Sequence, residues 1–139
     1  MIGLLSTAMD KFSEELYERV QAAGLKDIRP GHGCVFSNVQ PEGSRLTELA
    51  ERACMTKQTV GEVASDLEGL GYVERVPDPA DGRAKIIRLT QRGREAQLIG
   101  RDLVDGLERD WGERYGEENV AALRQALEVI TAERFGAWM

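Results

Sequence analysis

The sequence is poor in the residues that carry most metal and catalytic chemistry. It has one histidine, His32, and two cysteines, Cys34 and Cys54, in 139 residues. With a single histidine, neither a His-rich metal site nor a His-dependent triad is expected within one chain. There is no glycine loop of the phosphate-cradling kind, no metal-ligand spacing and no nucleophile motif. An enzyme is therefore not expected, and no cofactor or metal is implied. No run of about 18 apolar residues occurs, so no membrane-spanning helix is expected. The N-terminal MIGLLSTAMDKF has neither a basic n-region nor a cleavage site, so no signal peptide is read. Two cysteines without a secretory signal point to the cytoplasm and reduced thiols. Internal repeats, low-complexity tracts and flexible linkers are also missing.

A surplus of positive charge is lacking too. The formal net charge is −6, which argues against a chain that is basic throughout. Its distribution says more. Residues 1–43 carry four Lys/Arg against six Asp/Glu, and residues 95–139 carry five against ten. Residues 44–94 carry nine against eight, and between Arg75 and Arg94 six basic residues face only Asp78 and Asp81. A local basic strip thus lies inside an acidic chain whose flanks favour solubility and oppose non-specific adhesion to nucleic acid.

What is present is organised around Leu46 to Thr90. Leu46, Leu49, Ala50 and Ala53 recur as one face of a helix, with Thr47 placed to cap it. A short break at Cys54-Met55 precedes Thr56, a second candidate cap. Val60, Val63, Ala64, Leu67 and Leu70 then line a longer helix that Gly71 stops. Two helices joined by so short a turn cross at a wide angle, as in a helix-turn-helix. Tyr72–Val76 and Lys85–Leu89 alternate as strands. Pro77, Pro79 and Asp81-Gly82 supply turn chemistry between them and are expected to keep either strand from extending.

A helix-turn-helix followed by a two-stranded hairpin is a winged helix, and here the sequence closely resembles the MarR (multiple antibiotic resistance regulator) family. The residues carrying the resemblance are LTELAERA, MTKQTV, the DPADGR wing with its Asp81-x-Arg83 pair, and Leu89-Thr90-x-x-Gly93. The expected fold is mainly α with a small β wing, as a single MarR-type domain over 1–139. Within it, 30–94 forms the winged helix-turn-helix lobe, and 1–24 and 95–139 supply dimerisation helices.

The flanks fit that plan. Ile2, Leu5, Met9, Phe12 and Leu16 recur at alternating spacings of three and four, a coiled-coil-like seam, and Gly24 ends the helix. The resemblance implies that this seam meets a second subunit, since the family dimerises through its terminal helices. A further helix is expected from Pro30 to about Val39, and Ser44-Arg45-Leu46 suits the family's short first strand. A long helix after Thr90, capped by its hydroxyl, carries Ala96, Ile99, Leu103, Leu107 and Trp111. A break at Gly112–Gly116 follows, and a last helix is expected to bury Val120, Leu123, Leu127, Ile130 and Trp138.

The resemblance implies a cytoplasmic, sequence-specific DNA-binding regulator, expected to act as a repressor and as a homodimer on a pseudo-palindromic operator. Thr56, Lys57, Gln58, Thr59 and Glu62 lead the recognition helix, whose N-terminal residues reach base edges and phosphates. Gln58 suits adenine, Lys57 guanine or phosphate, and Glu62 cytosine. Gly61 lets the backbone approach closely. Arg83 at the wing tip suits a narrow minor groove, with Asp81 implied to orient it. Arg75, Lys85 and Arg88 are candidate phosphate contacts. The family also implies a small aromatic or phenolic effector, for which Arg29, His32, Phe36 and Trp111 are candidates, though ordinary core packing suits them equally. Two alternatives stand. The recognition helix has one basic residue and is followed by Asp66 and Glu68, which suits a winged-helix protein-interaction module without DNA binding. Cys34 and Cys54 raise a thiol-based redox-sensing regulator, although neither has an adjacent cation in sequence to activate it.

Overall fold

The computed structural model describes residues 1–135. In chain order the elements are α1 (Ile2–Ala22), a 3-10 turn (Pro30–His32), α2 (Gly33–Phe36), β1 (Ser44–Arg45), α3 (Leu46–Ala53), α4 (Lys57–Gly69), β2 (Val73–Asp78), β3 (Asp81–Leu89), α5 (Gln91–Tyr115) and α6 (Glu117–Phe135). The chain divides into two compact units, Met1–Arg101 and Asp102–Met139. Among the described residues, no helix is long and apolar enough to cross a membrane.

The first unit is a helical fold with a small antiparallel sheet in the order β1-β3-β2. Its core joins Leu49 and Ala50 of α3 and Val60, Ala64 and Leu67 of α4 to Val35, Tyr72, Val73, Ile87 and Leu89. The apolar spacing in the sequence foretells this face of α3 and α4. Two helix starts differ in kind. Thr56 caps α4 as expected, its Oγ1 accepting the Thr59 N–H at 3.1 Å. Thr47 caps nothing, because α3 already begins at Leu46 and Thr47 lies inside the first turn. Between the helices Cys54 takes a left-handed conformation (φ 54°), the only non-glycine to do so among the described residues. That conformation costs of order 1–2 kcal/mol and lets the chain reverse in very few residues.

The wing is longer than expected. Pro77 lies within β2, opposite Lys85, and β3 already begins at Asp81. A proline is tolerated there because β2 is an edge strand and owes a full set of N–H donors to no second neighbour. An irregularity between Pro77 and Asp78 then turns the strand. The segment expected as one helix from Pro30 to Val39 is a 3-10 turn followed by a single α turn. Gly31 and Gly33 weaken its helical propensity, and the Asn38 side chain takes the Cys34 carbonyl at 2.7 Å.

The hydroxyl of Thr90 caps α5 by accepting the Gly93 N–H at 3.1 Å, while donating to the Gly71 carbonyl at 2.6 Å. Gly93 is obligatory for a plain reason: a Cβ there would lie 2.0 Å from the Tyr72 carbonyl oxygen. α5 runs unbroken through Gly112 and ends at Gly116 (φ 100°), so the break is one residue rather than five.

Two stripes are less buried than their spacing suggests. In α5, Ala96, Leu107 and Trp111 are buried but Ile99 is 38% exposed. In α6, Leu123, Leu127 and Ile130 are all exposed and Val120 is half-buried; Trp138 lies outside the described residues. Periodicity marks a face that is to be covered, and does not say which chain covers it. α1 behaves alike: none of its residues is buried, and Ile2, Leu5 and Met9 are exposed. Within the second unit, Arg124 of α6 donates to Glu108 of α5 at 2.6 Å and to Glu128 at 3.1 Å, which holds its guanidinium protonated well beyond the usual range.

Candidate nucleic-acid interface

Capping at Thr56 leaves the N-terminal turn of α4 in the open. Lys57, Gln58, Thr59 and Glu62 are exposed. Thr59 Oγ1 lies 2.8 Å from Thr56 Oγ1, so both hydroxyls are committed to the cap. Among the described residues the side chains of Lys57, Gln58 and Glu62 have no partner. They line an open concavity of about 770 Å³, together with Gly61, Ser65, Asp66, Leu46 and Arg75. Free donors and acceptors at a helix N-terminus, beside a hollow walled by a strand, suit a polyanion that brings its own base edges.

Arg75 departs from its expected role. It donates to the Gly61 carbonyl at 3.2 Å and to Ser65 Oγ at 2.9 Å, lying along α4 rather than standing free. Arg88 is paired as well, with Glu74 at 2.6 Å on the neighbouring strand. Arg83 and Lys85 remain exposed and, among the described residues, unpartnered. Asp81 does act on Arg83, but through the backbone: its Oδ1 accepts the Arg83 N–H at 3.0 Å. The aspartate thus shapes the turn that carries Arg83 and leaves the guanidinium free.

The polar links that hold these elements were not legible in sequence. Asp78, counted there only as a charge, accepts the Ala80 N–H at 2.9 Å and Arg45 Nε at 2.7 Å. The Ala80 amide foremost, and then Arg45, hold its carboxyl below the usual range. Asp27 accepts the Tyr72 hydroxyl at 2.5 Å and Arg92 at 2.7 Å. Arg92 also donates to the Leu70 carbonyl at 2.5 Å and lies 4.2 Å over the Tyr72 ring. The Tyr72 hydrogen bond foremost lowers the Asp27 pKa, while burial and then Asp27 raise that of Tyr72. This knot fastens the start of the wing to the start of α5.

The four effector candidates are not equivalent. His32 is buried and doubly bonded, accepting the Arg29 N–H at Nδ1 (3.0 Å) and reaching Asp66 from Nε2 (2.6 Å). Phe36 packs edge-on against Tyr72, with ring centroids 5.8 Å apart. Arg29 is exposed in the same unit, whereas Trp111 belongs to the second unit. Cys34 is half-buried and donates to the Gly31 carbonyl, and burial pushes its thiol pKa up, away from a reactive thiolate. Cys54 is exposed. Among the described residues, no group of three or more His, Cys, Asp or Glu could hold a metal ion.

The chain is similar in sequence and fold to known proteins. A model of the MarR family matches residues 27–84. The transcriptional regulator HosA of Escherichia coli O111:H- is 26% identical over 110 residues, covering 78% of this chain and 82% of HosA. The crystal structure of CouR from Rhodococcus jostii RHA1 bound to p-coumaroyl-CoA superposes with a TM-score of 0.76 at 25% identity, covering 93% of this chain and 90% of that one. The transcriptional repressor CouR bound to a 23-mer DNA duplex superposes with a TM-score of 0.75 at 24% identity, covering 94% and 92%.

Proposed function

We propose that this chain is a transcriptional regulator of the MarR family rather than an enzyme, and that it acts as a homodimeric, sequence-specific DNA-binding repressor. One observation carries the reading: a Thr56-capped helix start presents unpartnered Lys57 and Gln58, and the wing presents unpartnered Arg83 and Lys85. α4 enters the major groove, where Gln58 and Lys57 meet base edges and Glu62 selects against some of them. The wing tip follows the adjacent minor groove. The winged lobe of residues 30–94 reads DNA, and residues 1–24 and 95–139 pair two copies. The exposed apolar side chains of α1 and α6 support that pairing. Two-fold symmetry then asks for half-sites about one helical turn apart. A small aromatic effector is proposed by analogy with the ligand in the CouR structure, and a cytoplasmic location follows from the DNA target.

A second reading, a protein-interaction module, is favoured by the engagement of Arg75 and Arg88 with internal partners and by Glu62 and Asp66 beside the hollow. One experiment separates the two. Purified protein is used to select duplexes from a random pool, and the winner is titrated across a salt series. The regulator enriches a pseudo-palindrome and loses affinity steeply with salt. Failure to enrich any duplex would sink the DNA-binding reading.

A further inference from the structure

We propose that His32 is a positioning residue for the recognition helix, transmitting the placement of the Arg29–Phe36 segment to α4 through its bond to Asp66. The proposal rests on the reading that α4 contacts DNA. Its basis is a non-local bond of fixed polarity. The Arg29 N–H donates to Nδ1 at 3.0 Å, so that nitrogen is the acceptor and the proton sits on Nε2. Nε2 donates to Asp66 Oδ2 at 2.6 Å, across 34 residues of sequence. One tautomer alone satisfies both bonds, and the ring is held in it with only 4% of its side chain exposed.

Asp66 is the other half of the argument. Its side chain is 58% exposed, and it borders the same hollow as Lys57 and Gln58. An ordinary solvated carboxylate needs no buried partner. Meanwhile α4 is already held to the core by Val60, Ala64 and Leu67. The bond therefore adds little to whether α4 is packed. It constrains how α4 is rotated, and with it where Lys57 and Gln58 point. A shift of the 3-10 turn Pro30–His32 carries the imidazole, and the imidazole carries Asp66.

The two bonds separate chemically. In His32→Asn the shorter amide oxygen stands near the place of Nδ1, so the Arg29 bond is kept and Asp66 is released. In His32→Gln the longer amide nitrogen stands near Nε2, so the Asp66 bond is kept. The experiment compares wild type, His32→Asn, His32→Gln, Asp66→Ala and the His32→Asn/Asp66→Ala double variant. Each is titrated on the duplex that wild type selects from a random pool and on an unrelated duplex, and each is melted. We expect His32→Asn to lose about tenfold in affinity for the selected duplex, as for coupled neighbours. Its binding to the unrelated duplex and its salt slope should stay unchanged, and His32→Gln should recover most of the loss. In the Asp66→Ala background, where no acceptor remains for Nε2, His32→Asn should do little more, a comparison in which the charge removed at Asp66 cancels.

Three outcomes overturn the proposal. His32→Asn binding like wild type is one. The same loss with and without Asp66 is another. A parallel fall in both duplex affinities and in melting temperature, showing loss of the fold alone, is the third. A wild-type protein that selects no duplex overturns the DNA-binding reading and this proposal together. A wild type that selects one while His32→Asn is unaffected overturns only the proposal.

Discussion

Arg45 and Asp78, 33 residues apart in sequence, tie β1 to the turn end of the wing hairpin, with Arg45 Nε donating to Asp78 Oδ2 at 2.7 Å. Arg45 ends β1 and Asp78 ends β2, the two strands that flank β3. The other carboxylate oxygen takes the Ala80 N–H. One side chain therefore holds both the width of the sheet and the turn that leads to Arg83.

That pairing sets an acid limb of stability. The Asp78 carboxyl lies below its ordinary value in the folded protein, the Ala80 amide being the first cause and Arg45 the second. Its contribution is complete above the unfolded pKa, near 3.9, and is lost as pH falls through the lower folded value. Asp78→Asn should melt lower than wild type at pH 7 and converge with it as the pH falls below about 4. Thermal melts from pH 7 to pH 2.5 check this. A constant gap across that range would show that Asp78 acts by packing and not by charge.

Two glycine-to-alanine substitutions should move stability in opposite directions. At Gly61 a Cβ would meet Leu46 Cδ2 at 3.5 Å, an ordinary contact. Gly61→Ala should therefore stabilise by up to about 1 kcal/mol through helix propensity. If Gly61 serves close backbone approach to DNA, that more stable protein should bind its operator less well. At Gly93 a Cβ would collide with the Tyr72 carbonyl at 2.0 Å, and Gly93→Ala should cost about 1–3 kcal/mol or more. Denaturant titrations give both signs, and a stabilised Gly61→Ala with unchanged DNA affinity would remove the backbone-approach role.

Legibility in the sequence followed the length scale of each interaction. Local periodicity and single-residue signals sufficed for α3, α4, the Thr56 and Thr90 caps and the hairpin, because those depend on neighbours a few residues away. The links Arg45–Asp78, Asp27–Tyr72–Arg92 and His32–Asp66 join residues 20 to 65 apart. No pattern in one chain announces them. The same limit explains Arg75 and Arg88. Their charge suggested phosphate, and only the fold shows Ser65 and Glu74 within reach. Pro77 misled for a different reason: its missing N–H matters only where a strand has two neighbours.

The exposed apolar seams make a prediction about assembly. Leu5 is 48% and Leu127 42% exposed in the single chain, so glutamate at either position should disturb the protomer little. If the terminal helices pair two copies, Leu5→Glu with Leu127→Glu should give a monomer with near-wild-type helicity. Operator affinity should fall sharply, because linked half-sites no longer act together. Sedimentation at micromolar concentration decides the matter, and a dimer that survives both charges would place the interface elsewhere.

The last prediction concerns how labour divides between helix and wing. Gln58 and Arg83 are both exposed and unpartnered among the described residues, yet their losses should differ in kind. If Gln58 reads a base bidentately, Gln58→Ala should cost about 1–3 kcal/mol on the preferred operator and relax one base pair per half-site. If Arg83 enters the minor groove, Arg83→Ala removes a cation from it. It should weaken operators with A·T-rich wing positions more than G·C-rich ones, since the narrower groove has the stronger negative potential. It should also reduce the slope of log affinity against log salt by about one per wing. Arg88→Ala is the control for charge: already neutralised by Glu74, it should leave that slope nearly unchanged. Asp81 tests the turn. Because Oδ1 takes the Arg83 N–H, Asp81→Asn keeps the acceptor and should be close to silent, while Asp81→Ala should reproduce part of the Arg83 defect. Titrations of the five variants on matched duplexes across a salt series supply every number required. Should Arg83→Ala leave affinity and slope untouched, the wing does not touch DNA, and the interaction-module reading takes its place.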